Sequence, residues 1–196
     1  MANQSAVEET RRCLNNIEQF DSLVKAYIAV IPESALQEAE AIDRAREQDI
    51  VGGVLDGIPI SIKDCIDVAG IPCTNGSSFF ANYVPEQDAL IVQRLRNAGA
   101  VILGKTNLHE FAYGSTTQNP HYGSTRNPWD LDRIPSGSSG GAGASVAAQM
   151  CVGAVGSDTG GSVRTPAAIN GVSGLRPSMG SIPMTGSFTR ICPAID

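Results

Sequence analysis

The chain has 196 residues, 42% of them hydrophobic and 17% charged, which fits a globular domain with a sizeable core and excludes a disordered polar chain. A formal net charge of -6 gives no electrostatic basis for nucleic acid or an anionic membrane as partner, and no apolar stretch nears the ~20 residues that a membrane helix needs. Five cysteines (Cys13, Cys65, Cys73, Cys151 and Cys192), with no CxxC pair and no early apolar leader, point to reduced thiols in a cytoplasm and against a zinc site.

The first fifty residues are rich in charges and helix formers. Leu23, Ala26, Tyr27 and Val30 recur about one turn apart, which predicts a helix ending at Pro32, and a second helix follows over Glu33–Gln48. At "VLDGIPISIKD" the period changes to two: Ile58, Ile60 and Ile62 alternate with Pro59, Ser61 and Lys63, so a strand is expected with Lys63 pointing away from the isoleucines. "DALIVQRLRNAGAVILGKTN" predicts a helix capped by Asp88, stopped near Gly99, then a short buried strand over Val101–Leu103. Residues 113–144 form a Gly, Ser, Thr, Asn and Pro-rich stretch too long for a passive connection. "ASVAAQM" predicts a helix after it, "CVGAVGSD" another buried strand, and "TGGSVRTPAAINGV" a glycine-serine turn from that strand into a helix. Strand, helix and strand in succession imply α/β layering.

Two serine turns, "GSSGG" and "SDTGGS", thus flank one helix and one strand. A serine nucleophile needs a group to take its proton. His109 and His121 both lie upstream of these turns, so neither supplies the downstream histidine of a nucleophile-elbow hydrolase, and both read as surface or hydrogen-bonding residues. Lysine is the alternative base, and there are three. Lys25 lies in a charged helix, and Lys105, at a strand end, reads as solvated. Lys63 sits in an apolar setting where desolvation would favour its neutral form, although a buried ion pair with Asp64 or Asp67 is the competing reading. Neither turn matches a phosphate-binding loop, which disfavours nucleotide binding. "SDTGGS" does offer backbone N–H groups at Thr159, Gly160, Gly161 and Ser162 that could converge on one oxygen beside a serine hydroxyl, as an oxyanion hole does.

With "GIPISIKD", "LGKTNLHEFAYGSTTQNPHYGSTRNPWD", "GSSGG" and "GSDTGGSVRTPAAINGVSGLRP" in this order, the sequence resembles the amidase signature enzymes, which use a Ser-Ser-Lys triad. The resemblance implies α/β/α layers around a mixed sheet. It implies Ser162 as the nucleophile that forms an acyl-enzyme, Ser138 as the bridging serine, Lys63 as the terminal base, and a cis peptide between Gly137 and Ser138. Ser139 would be a structural hydrogen-bonding partner and Ser145 a cap, while Asp158 and Arg164 would pair to hold the nucleophile turn. No metal or organic cofactor is implied.

One glycine of the family's Gly-Gly-Ser-Ser is Ser136 here. Family members are also longer, so residues 1–50 are expected to be an N-terminal helical segment and 51–196 the N-terminal part of a catalytic domain. Such a part would expose apolar sheet edges and is expected to be poorly soluble or to need the rest for folding. The implied activity is hydrolysis of a small-molecule amide, with a second copy of the chain as partner. The alternative within the family is the glutaminase-type amidase component of a glutamyl-tRNA amidotransferase, with its partner subunits. Outside it stand a noncatalytic fragment and a nucleotide-binding module.

Overall fold

The computed structural model describes residues 5–187. The charged N-terminal segment forms helix α1 (Ala6–Val24), whose Ser5 hydroxyl accepts the Glu8 N–H as an N-cap, and helix α2 (Pro32–Glu47), with proline at its first turn. Between them lies strand β1 (Tyr27–Val30), where a continuous helix was expected. Lys25 adopts a left-handed conformation and its N–H reaches the Asp21 carbonyl, which ends α1. The aromatic and β-branched residues beyond it then pair with the sheet.

Strands β2 (Pro59–Lys63), β3 (Val101–Thr106) and β4 (Gly153–Val155) complete a mixed sheet of order β1-β3-β2-β4. β1 runs antiparallel to β3, and β2 lies parallel to both β3 and β4. The expected α/β layering around a mixed sheet is present. β3 is twice the expected length and carries Lys105 into the interior, fully buried rather than solvated. Helix α3 (Leu90–Asn97) has Ala89, not Asp88, as its N-cap residue. Asp88 instead accepts the Ala69 N–H at 2.7 Å and pairs with Arg96.

Side-chain alternation divides the core into two clusters. Val101 and Leu103 face α1, α2 and helix α4 (Gly140–Ala147), whereas Ile60, Ile62 and Ile102 face α3. A bulge in β3 alters this alternation. Ile60 pairs with Ile102 but Ser61 with Gly104, so β3 takes one extra residue and Lys105 comes opposite Ile62 while Thr106 comes opposite Lys63. The two buried lysines therefore project from opposite faces of the sheet.

α4 starts within the glycine run, earlier than the expected "ASVAAQM". A Cβ on Gly141 would lie 2.5 Å from the carbonyl oxygens of both Ala26 and Asn107, so only glycine lets α4 dock onto the ends of β1 and β3. Ser145 lies inside α4, where its hydroxyl donates to the Ala142 carbonyl at 2.9 Å, and it is not a cap. Helix α5 (Arg164–Asn170) follows the second serine turn and packs on α4. Cys13, Cys65, Cys73 and Cys151 are buried thiols outside any disulfide among the described residues, and Cys192 lies outside those residues. Among the described residues no helix is long and apolar enough to cross a membrane. Gly141→Ala is expected to destabilise the fold by about 2–3 kcal/mol, because backbone must move to admit the methyl group, and a lower urea midpoint at unchanged m-value would show it.

Candidate active site

Lys63 ends β2 on the face turned from the isoleucines, as its alternation predicts. Its Nζ lies 2.7 Å from Ser138 Oγ and 2.8 Å from Ser157 Oγ. Lys63 and Ser138 are both completely buried. The neighbouring carboxylate, Asp64, continues the alternation to the other face and pairs with Lys105 Nζ at 2.9 Å. Asp64 also accepts the Thr74 N–H at 3.0 Å and its hydroxyl at 2.5 Å. Desolvation works against the charge on Lys105, but the facing Asp64 carboxylate prevails and holds that ammonium above its ordinary value. The ion-pair partner of Asp64 is thus Lys105 and not Lys63.

Ser138 follows a cis peptide from Gly137. Its carbonyl accepts the His109 N–H at 3.0 Å, and Thr117 Oγ1 bridges the Ser136 carbonyl at 2.8 Å and the Gly140 N–H at 3.0 Å. The long 113–144 stretch therefore folds back behind its own serine turn. Thr117 falls within the "LGKTNLHEFAYGSTTQNPHYGSTRNPWD" run, but nothing in the sequence singled it out for this role. His109 meets Thr116 at 3.2 Å and His121 meets Glu110 at 2.9 Å, hydrogen-bonding roles in keeping with their sequence reading.

The second turn is organised by Asp158. Its carboxylate accepts N–H groups from Gly161, Val163 and Arg164 at 2.7, 3.1 and 3.2 Å, and the Arg164 guanidinium through Nε and Nη2 at 3.0 and 2.9 Å. Arg176 adds a contact to the same side chain at 3.6 Å. Burial opposes the charge, but Arg164 and these backbone donors outweigh it and hold the Asp158 carboxyl well below the usual carboxylate range. The Gly161 N–H is committed to Asp158, which removes it from the four candidate oxyanion donors.

Three bonds join the two turns: Ser139 N–H to the Ser162 carbonyl at 3.2 Å, Ser139 Oγ to the Ser157 carbonyl at 3.2 Å, and Thr165 Oγ1 to the Gly137 carbonyl at 3.2 Å. Ser162 is half-buried, and Thr159 and Gly160 are exposed at the tip. The structure thus brings Lys63, Ser138 and the Ser162 turn into one neighbourhood, with Ser139 as the expected hydrogen-bonding partner. Beside it opens a cavity of about 560 Å³ bordered by Cys65, Ser139, Ser157, Asp158 and Arg176; Lys63, Ser138 and Ser162 are not in its wall. No group of three or more metal-ligating side chains occurs among the described residues.

Residues 8–196 match the sequence profile of the Amidase family. The A subunit of the glutamyl-tRNA(Gln) amidotransferase of Syntrophobacter fumaroxidans is 48% identical over 182 residues, a match covering 93% of this chain and 37% of that protein. Its counterpart from Gloeobacter violaceus is 48% identical over 185 residues, with the same coverage of 93% and 37%. Among solved structures, the native peptide amidase of Stenotrophomonas maltophilia superposes with a TM-score of 0.90 at 38% identity, over 94% of this chain and 39% of that one. The corresponding amidotransferase component of Thermotoga maritima gives 0.80 at 39% identity, over 93% and 38%. The chain spans less than two fifths of the length of these curated relatives.

Lys105→Met is expected to cost about 3–5 kcal/mol by leaving Asp64 buried without its cation, and Lys105→Met combined with Asp64→Leu to recover most of that loss in urea unfolding. For Asp158, the depressed folded value means that its stabilisation is complete above the unfolded value of about 3.9 and is lost as pH falls through the folded one. Asp158→Asn should therefore lower stability by about 1–3 kcal/mol at pH 7, and the gap from wild type should narrow in strong acid.

Proposed function

The chain belongs to the amidase family, and from that premise we propose that it carries the acyl-transfer machinery of an amidohydrolase, with Ser162 as nucleophile, Ser138 as relay and Lys63 as base. The observation that carries this reading is the 2.7 Å contact between the buried Lys63 Nζ and Ser138 Oγ, with the Ser162 turn bonded to the Ser138 turn. Attack by Ser162 Oγ on an amide carbonyl carbon forms the C–O bond. The Ser162 proton passes to Ser138 Oγ as the Ser138 proton passes to the lone pair of neutral Lys63.

Negative charge on the carbonyl oxygen is met by N–H groups of the Thr159, Gly160 and Ser162 turn, without that of Gly161. As the C–N bond breaks, the Lys63 ammonium returns a proton through Ser138 to the leaving nitrogen, and an ester remains on Ser162. Water then attacks the ester, gives its proton to the same relay, and the acid departs as Ser162 regains its proton. Gly137 and Ser139 shape the first turn, and Asp158 with Arg164 the second. In this reading residues 51–196 are the N-terminal part of the catalytic domain, with β1 extending its sheet.

The match to the amidotransferase components favours a second reading within the family, in which the amide is that of glutamine and the chain works with partner subunits. The test is intact-mass analysis after treatment with a serine-reactive fluorophosphonate, followed by ammonia release from glutamine and from simple carboxamides. A single adduct at Ser162 is expected, absent in Ser162→Ala and formed at least about 100-fold more slowly in Lys63→Ala. An adduct undiminished in either variant, or none on the wild-type chain, would overturn the proposed relay. Ammonia from glutamine in preference to simple amides would select the glutaminase reading.

A further inference from the structure

Ser157 has no part in the relay described above, yet its hydroxyl lies nearly as close to Lys63 as that of Ser138, at 2.8 Å against 2.7 Å. The placement follows from the sheet. β4 pairs with β2 in parallel, with Val155 opposite Ile62, so the chain just beyond β4 runs alongside the end of β2 where Lys63 stands. Ser157 is held on both sides there: its carbonyl accepts from Ser139 Oγ at 3.2 Å, and the next residue is the Asp158 that anchors the following turn. Its hydroxyl is 2.8 Å from Lys63 Nζ, and Cys65 Sγ lies 3.7 Å from it.

We propose that Ser157 is a positioning residue for the relay, accepting one N–H of Lys63 so that the amine turns its lone pair toward Ser138. The inference rests on the reading of Lys63 as base. A neutral amine carries two N–H bonds and one lone pair on a rotor with three staggered orientations. With its own hydrogen turned to Cys65 Sγ, the Ser157 oxygen accepts an N–H and disfavours the orientation in which the lone pair points at it, and so raises the share that faces Ser138. Once Lys63 takes up the proton, the same oxygen accepts from an ammonium, a stronger bond. Ser157 therefore serves Lys63 in both states.

Other ionisable groups on the surrounding elements are engaged elsewhere or are thiols. Asp64 is paired with Lys105 of β3, and Asp158 with Arg164 and Arg176. Cys65 follows β2, and α4 contributes no ionisable side chain.

The chain contains only three lysines, Lys25, Lys63 and Lys105, so ¹³C-lysine labelling allows the Lys63 Cε resonance to be titrated without turnover. Ser157→Ala is expected to lower the Lys63 midpoint by about one pH unit, since the lost bond favoured the charged form. It should also slow fluorophosphonate labelling of Ser162 by about 10-fold, with its acid limb displaced in the same direction. Ser157→Thr, which keeps the hydroxyl, should restore both. Ser157→Val, which matches threonine in shape but has no hydroxyl, should behave as the alanine variant does and replaces it if alanine unfolds the turn. An unchanged Lys63 midpoint in folded Ser157→Ala or Ser157→Val, or failure of Ser157→Thr to restore it, would overturn the proposal. A shifted midpoint with no labelling of Ser162 even in wild type would sink the acyl-enzyme reading and leave the hold of Ser157 on Lys63 standing.

Discussion

A carboxylate buried beside two buried lysines must be assigned to one of them, and Asp64 goes to Lys105. Removing an ammonium from water costs several kcal/mol unless a counter-charge and hydrogen bonds replace the lost hydration. Lys105 obtains these from Asp64, itself braced by both donors of Thr74, on the α3 face of the sheet. Lys63, one strand away, is met on the other face by the hydroxyls of Ser138 and Ser157. Hydroxyls satisfy either protonation state of an amine, whereas a carboxylate at contact distance favours the ammonium. For the proposed relay, the separation of the two lysines is thus the condition for Lys63 to exchange a proton.

The serine turns depend on that arrangement and on each other. Neither is stabilised by its own sequence alone. The first is held from behind by Thr117 and His109, and the second is wound around Asp158. Bonds between them, from the Ser139 N–H to the Ser162 carbonyl and from the Thr165 hydroxyl to the Gly137 carbonyl, fix their spacing. Rigid placement of this kind gives a short proton relay its effect, since each hydroxyl must find donor and acceptor without searching for them. Small residues around Ser138 serve close packing, as Gly141 against the carbonyls of Ala26 and Asn107 demonstrates.

Much of this was legible in the sequence where one residue type admitted one physical reading. The period-two run of isoleucines located β2 and the face of Lys63, and the glycine-serine turns identified where strands hand over to helices. The region around β1 misled because Leu23, Ala26, Tyr27 and Val30 fit a helical period while a left-handed Lys25 breaks the helix among them. Lys105 misled for a related reason: its burial depends on a carboxylate from the adjacent strand's end, a pairing that no local pattern encodes. Ser157 escaped notice because one serine after a strand is commonplace, and only the β2–β4 register brings it to Lys63. The Gly161 N–H likewise looked available until Asp158 was seen to hold it.

The bulge at Gly104 has a consequence for how this gene can vary. Flattening the bulge at unchanged length would return β3 to regular alternation and turn Lys105 toward the face that bears Lys63, away from Asp64. Such a slip of register would strand a carboxylate on one side and crowd two cations on the other, whereas loss of the one extra residue would leave Lys105 opposite Ile62. Insertions and deletions should therefore be tolerated in surface turns and, within β3, only where Lys105 stays opposite Ile62, so the register of that strand is under tighter selection than the identity of most residues within it.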